Sequence, residues 1–183
     1  MRLHFWVSLA IALAVGGPAG AAVTVIGGGM AEDCSHAAIA GKSDTGSILT
    51  CSLALDGEDL NRINRAGTLI NRGVMKLRRL EFENARADLD AAIALTPTIG
   101  EAWINLGAVA VGEKQYQTAL AHLTKALKLG VKEPEKAYFN RALAYEGLDD
   151  EKSAYFDYQQ ALALKPGWSL PRTELLRFTV TRR

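Results

Sequence analysis

The sequence predicts an all-α protein made of stacked helix pairs, and two observations predict it. From Ala66 the chain repeats itself in three blocks of 34 residues, 66–99, 100–133 and 135–168, with Pro134 inserted before the third. Within each block apolar residues recur at spacings of three and four, which marks two amphipathic helices per block. Domain organisation follows as residues 1–21, 22–65, 66–168 and 169–183.

Residues 1–21 read as a secretory signal. Arg2 and His4 precede an apolar run from Phe5 to Val15, then Gly16-Gly17-Pro18 and the small residues Ala19-Gly20-Ala21-Ala22. A positive start, a short apolar segment, a helix breaker and small residues before a cut site define such a signal. Cleavage is expected after Ala21, with Ala22 the alternative. The other reading is an uncleaved anchor, since no charged residue lies between Phe5 and Ala31. Glycine and proline breaks argue against a spanning helix, because lipid leaves freed backbone groups unsatisfied. The expected location is periplasmic, with secretion or N-terminal anchoring as alternatives and no membrane insertion once the signal is cut.

Lys plus Arg number 21 and Asp plus Glu number 20, so there is no basic field for nucleic acid. Three arginines in Arg177–Arg183 form only a short solvated tail.

The blocks align position by position. Gly73, Gly107 and Ala142 share the eighth place, Ala85, Ala119 and Ala154 the twentieth, and Ala92, Ala126 and Ala161 the twenty-seventh. Small residues recur where two helices cross closely. Leu69, Trp103 and Tyr138 share the fourth place, and Leu89, Leu123 and Tyr158 the twenty-fourth. Pro97 and Pro166 follow the second helix of their blocks. After Trp168, residues Leu170–Phe178 read as a solvating cap helix with Pro171 in its first turn.

Trp103-x-x-Leu106-Gly107, Tyr116, Ala119, Leu123 and Ala126, with Tyr138, Ala142, Tyr145, Ala154, Tyr158, Ala161 and Pro166, resemble the tetratricopeptide repeat. The resemblance covers residues 66–168 and implies a right-handed superhelix of antiparallel helix pairs with a concave inner face. Arg72 and Arg141 depart from it at the seventh place, and Val131 stands where a proline is common.

Residues 22–65 then read as a decayed repeat. Aligning Ala54 with the twenty-seventh place puts Cys51 on the twenty-fourth and Cys34 on the seventh. In the family these places face each other, which implies a Cys34–Cys51 disulfide between helices 30–40 and 45–55. Two buried free thiols are the alternative. Arg72 and Asp88 recur as Arg141 and Asp157, while both change together in the second block to Leu106 and His122. This covariation within one chain predicts two structural ion pairs, Arg72–Asp88 and Arg141–Asp157.

Nothing recommends catalysis, a metal or a cofactor. Val23–Gly29 is a β-run before glycines, yet the third glycine of a dinucleotide fingerprint falls on Glu32, and helices follow where a parallel sheet is required. A flexible N-terminus is the plainer reading. His4, His36 and His122 are scattered, with no ligand spacing.

The concave face is therefore the candidate site for a protein or peptide partner. In the family the first helix of each pair lines it. Ile70, Ile104 and Phe139 stand at the fifth places, and Val74, Ala108 and Leu143 at the ninth, continued by Leu77 and Val111. An inner face this apolar marks binding. Asn71, Asn105 and Asn140 hold the sixth places and offer donors and an acceptor to an extended peptide backbone. Self-coverage by the N-terminal tail or by a twin chain is the competing reading. Lys136 and Asn105 match the carboxylate-clamping members of the family, but Ile70, Val74 and Asn140 do not, so no clamp is expected. The expected function is a non-catalytic interaction module. The alternatives are a self-associating homo-oligomeric envelope protein and an enzyme accessory.

Overall fold

The computed structural model describes residues 2–3, 19–178 and 180–181. The apolar run and the Gly-Gly-Pro break of the expected signal, residues 5–18, lie outside them. Among the described residues no helix is long and apolar enough to cross a membrane.

Tight turns set the pairing. Leu80, Lys114 and Asp149 occupy the same place in the three blocks and share a left-handed backbone, with φ of 61°, 60° and 59°. The residue after each donates its N–H to a carbonyl five residues back: Glu81 to Lys76, Gln115 to Ala110 and Asp150 to Tyr145. One turn geometry used three times folds each block into an antiparallel pair. The pairs are α3 (Arg62–Arg78) with α4 (Phe82–Leu95), α5 (Gly100–Gly112) with α6 (Tyr116–Leu129), and α7 (Pro134–Glu146) with α8 (Glu151–Leu164). Before them come α1 (Gly29–Ile39) and α2 (Thr45–Gly57), and after them the short α9 (Ser169–Leu175). Two-residue strands, β1 (Arg2–Leu3) and β2 (Val180–Thr181), pair antiparallel.

The helices form two layers. Within the inner layer α1 packs on α3, α3 on α5 and α5 on α7; the second helix of each pair lies outside and touches the next inner helix. Close crossing needs the small residues. A Cβ on Gly107 would lie 2.4 Å from Leu123 Cγ, and one on Gly73 would lie 3.2 Å from Leu89 Cγ. Ala85, Leu89 and Ala92, then Ala119, Leu123 and Ala126, then Ala154, Tyr158 and Ala161 are fully buried along the outer helices. Trp168 stacks on Phe139 at 4.9 Å between ring centroids and closes the C-terminal end under α9.

Covalent and ionic ties hold the pairs. Cys34 on α1 is bonded to Cys51 on α2, with Cα atoms 4.9 Å apart. Arg72 grips Asp88 with two hydrogen bonds of 2.9 and 2.6 Å, and Lys76 adds a third at 2.8 Å. Arg141 repeats the two-pronged grip on Asp157 at 2.7 and 3.0 Å. These bonds to Asp157 raise the Arg141 pKa above its ordinary value. The second block does without the pair. Leu106 is buried there, and the His122 ring lies 5.4 Å from the Trp103 ring.

His122 makes stability depend on pH. Burial, then the nearby Arg86, lowers its pKa despite the opposing pull of Asp90, and Lys125 lowers it further. The fold thus favours the neutral ring. The associated stability is present above the unfolded value of about 6.5 and is lost as pH falls toward the folded value. Urea midpoints at pH 7.5 and about 5.5 are expected to differ more for the wild type than for His122→Gln. An unchanged difference would exclude His122 as the cause.

Candidate functional site

An extended backbone can be gripped from one edge only if something supplies donors and acceptors at its own spacing. In a strand, the N–H and C=O of one residue point to the same edge, and equivalent residues recur every second position, roughly 6.6–6.8 Å apart. Inner helices pack about 8–10 Å apart at their axes. Side chains reaching into the concave side converge, so one side chain per repeat can match two residues of strand.

Residues Ala19–Ile26 use this match. They cross the concave face as an extended segment, running opposite to the order of the repeats. Asn140 on α7 accepts from the Ala19 N–H at 2.8 Å and donates to the Ala19 carbonyl at 2.9 Å. Asn105 on α5 does the same for Ala21 at 2.7 and 2.8 Å. Asn71 on α3 does the same for Val23 at 2.8 and 2.9 Å. Each asparagine stands in for one residue of a neighbouring strand. All three are fully buried, and every side-chain polar group in them has a partner. The rungs are uncharged.

Ser35 on α1 continues the line. Its hydroxyl donates to the Val23 carbonyl at 2.9 Å and accepts from the Val25 N–H at 3.0 Å. Asn64 ends it by donating to the Ile26 carbonyl at 2.8 Å. Sequence reasoning singled out neither residue. Ser35 follows Cys34 and falls outside the sixth-place register of the three asparagines, so the period gave no signal for it.

The groove-lining residues are accordingly covered. Ile70, Val74, Ile104, Ala108 and Phe139 have 0 to 1% exposure. Leu143 is half-buried against the same cluster as Ala19, and Ala21 lies in the cluster of Ile104, Ala137 and Ala144. Val23 packs against the cluster containing Ile70, Val74 and Ala108. Residues 23–26, expected as a flexible N-terminus, are instead part of the packed structure. The reason is that the asparagines supply the strand partner absent from the sequence. Lys136 stands apart from this line, where it pairs with Glu133 at 2.7 Å.

The glycines after the segment serve a turn. Gly27, Gly28 and Gly29 have φ of 141°, 79° and 75° and lead into α1. The Glu58 carboxylate accepts from the Met30 and Ala31 amides at 2.5 and 3.2 Å. It fills the helix start that a phosphate would take in a dinucleotide site. Among the described residues, no cluster of His, Cys, Asp and Glu has metal-site geometry.

Comparison with known proteins agrees with this architecture. Residues 135–167 match the family model described as tetratricopeptide repeat. No curated protein sequence matches the chain. The TPR domain of Arabidopsis OM64 superposes with a TM-score of 0.59 at 24% identity, over 64% of this chain and 96% of that domain. MamA (residues 41 to the end) from Desulfovibrio magneticus RS-1 gives 0.61 at 20% identity, over 81% and 82%. The second TPR domain of human RPAP3, solved in complex with the HSP70 peptide SGPTIEEVD, gives 0.57 at 23% identity, over 64% and 97%. The chain therefore has the fold of a tetratricopeptide-repeat domain. Its third block carries the repeat's sequence signature.

Proposed function

We propose that the protein is a non-catalytic interaction module of the cell envelope that holds an extended peptide segment in its concave groove. One observation carries this reading. Three asparagines at equivalent places in successive repeats pair both backbone polar groups of alternate residues in Ala19–Val23. Such recognition reads backbone, so a foreign segment of suitable shape satisfies it as well as the chain's own. The RPAP3 domain, of similar fold, was solved with a peptide bound. An envelope location, periplasmic in this reading, is supported by the Cys34–Cys51 bridge, since disulfides persist in oxidising compartments.

The fit of residues 19–25 favours one second reading. Copies of the chain could exchange this segment, each filling its neighbour's groove, which would make the protein a self-associating unit. A photo-reactive residue in place of Leu143 separates the two in living cells. Crosslinks to a different protein, lost in Asn140→Ala, support docking. Crosslinks only at twice the mass of the chain support exchange. Charged substitutions at Ile104 or Phe139 would not serve, because both are core residues and their loss would report on folding.

A further inference from the structure

The expected cut after Ala21 falls inside the groove-bound segment. Ala21 is fully buried, and both its N–H and its C=O are held by Asn105. A protease needs its substrate free and extended, so cutting and docking exclude each other and the cut must come first. Hydrolysis breaks the Ala21–Ala22 amide. Water supplies the hydroxyl of the new Ala21 carboxyl group and the proton of the new Ala22 amine, with a signal peptidase as catalyst.

What the cut leaves behind is uneven. Ala22–Ile26 keeps its own anchors on Asn71, Ser35 and Asn64. It also keeps its fit against α3, where a Cβ on Gly67 would come within 2.9 Å of Val25 Cγ2 and 3.3 Å of Val23 Cγ2. Ala19–Ala21 depart, and the amides of Asn105 and Asn140 lose every partner they have. With the covering residues gone these amides face the open groove and bind water, which a segment offering backbone N–H and C=O at the same places can displace.

We infer that maturation opens a peptide site over α5 and α7, and that the site takes an extended segment of a partner protein with small, uncharged side chains: glycine or alanine where the two asparagines grip it and glycine between them. This inference rests on the docking reading given above. The segment runs from Asn140 to Asn105 and ends or turns away before Ala22. The size limit comes from the space available. A Cβ on Gly20 would already lie 3.1 Å from Val74 Cγ1 and 3.6 Å from Leu77 Cδ2. Ala21 sits without exposure in a cluster rich in alanine, including Ala110, Ala137 and Ala144. Neither rung carries a charge, so a charged side chain has no counter-ion there.

The test uses protein exported by cells, its N-terminus fixed by intact mass. The probe is a dye-labelled Gly-Gly-Pro-Ala-Gly-Ala peptide, the chain's own residues 16–21. Polarisation should show saturable binding to the processed protein and none to the unprocessed full chain. Asn105→Ala in the processed protein should weaken it about tenfold or more, and Asn140→Ala likewise. A probe with leucine in place of the single glycine of its Ala-Gly-Ala triplet, the counterpart of Gly20, should not bind. An exported protein that retains Ala21 would overturn the inference, as would equal binding by processed and unprocessed chains. Equal binding of the leucine probe would overturn it too, while leaving the groove a peptide site. If neither asparagine variant alters binding and the Leu143 crosslinks are also absent, the docking reading falls with it.

Discussion

Asp88→Ala is expected to lower stability by about 3–5 kcal/mol, the range for removing one partner from a buried ionic cluster. Asp88 is 5% exposed and is held by Arg72 and Lys76 together. Its loss strands two cations between α3 and α4, and Ser52 remains as a weak partner for Arg72. The second block shows the alternative solution, with Leu106 and His122 in the equivalent places. Arg72→Leu combined with Asp88→His and Lys76→Ala, which copies Leu106, His122 and Ala110 of the second block, should therefore recover much of the loss, whereas Arg72→Leu alone should destabilise. Urea unfolding of the three variants checks this. A near-neutral Asp88→Ala or Arg72→Leu would show that the cluster does not hold the pair.

The second large effect is expected at the other end of the inner layer. Breaking the Cys34–Cys51 bridge, which spans 17 residues of sequence, should cost about 3 kcal/mol. Among the described residues, the pair α1–α2 packs on the other helices chiefly through α3, so the loss falls mainly on one interface. The groove should feel it as well. Ser35, next to Cys34, holds Val23 and Val25, and loosening α1 releases that end of the bound segment. Denaturant midpoints with and without reductant measure the first effect. Proteolysis at residues 22–28 measures the second. A reduced protein as stable as the oxidised one would contradict the assignment of the bridge as a staple.

Much of this was legible because it is periodic. The 34-residue recurrence of small and large residues located the helix pairs. The joint change from Arg72 and Asp88 to Leu106 and His122 pointed to a contact within the pair, since a lone change would have left a charge unpaired. Asn71, Asn105 and Asn140 were visible as backbone readers for the same reason. What they read was not. Ala19 and Ala21 are held through backbone groups, and a backbone leaves no mark in a sequence. Val23-Thr24-Val25 has the look of a strand, but its partners are one asparagine and one serine, Asn71 on α3 and Ser35 on α1. Ser35 lies off the register, so alignment of the blocks could not find it. Lys136 matches a family clamp that only Asn105 shares here, with Ile70, Val74 and Asn140 departing from it, and it pairs locally with Glu133.

The central claim is that alternate residues of the segment are gripped by one side chain per repeat. Amide hydrogen exchange on the full chain tests it most directly. Ala21, Val23 and Val25 donate to Asn105, Asn71 and Ser35, whereas the amides of Ala22 and Thr24 have no acceptor among the described residues. The expected result is slow exchange at 21, 23 and 25 and faster exchange at 22 and 24, with Ala21 made fast by Asn105→Ala. Uniformly fast exchange from 19 to 25 would mean that the groove does not hold this segment, and the ladder would have no occupant.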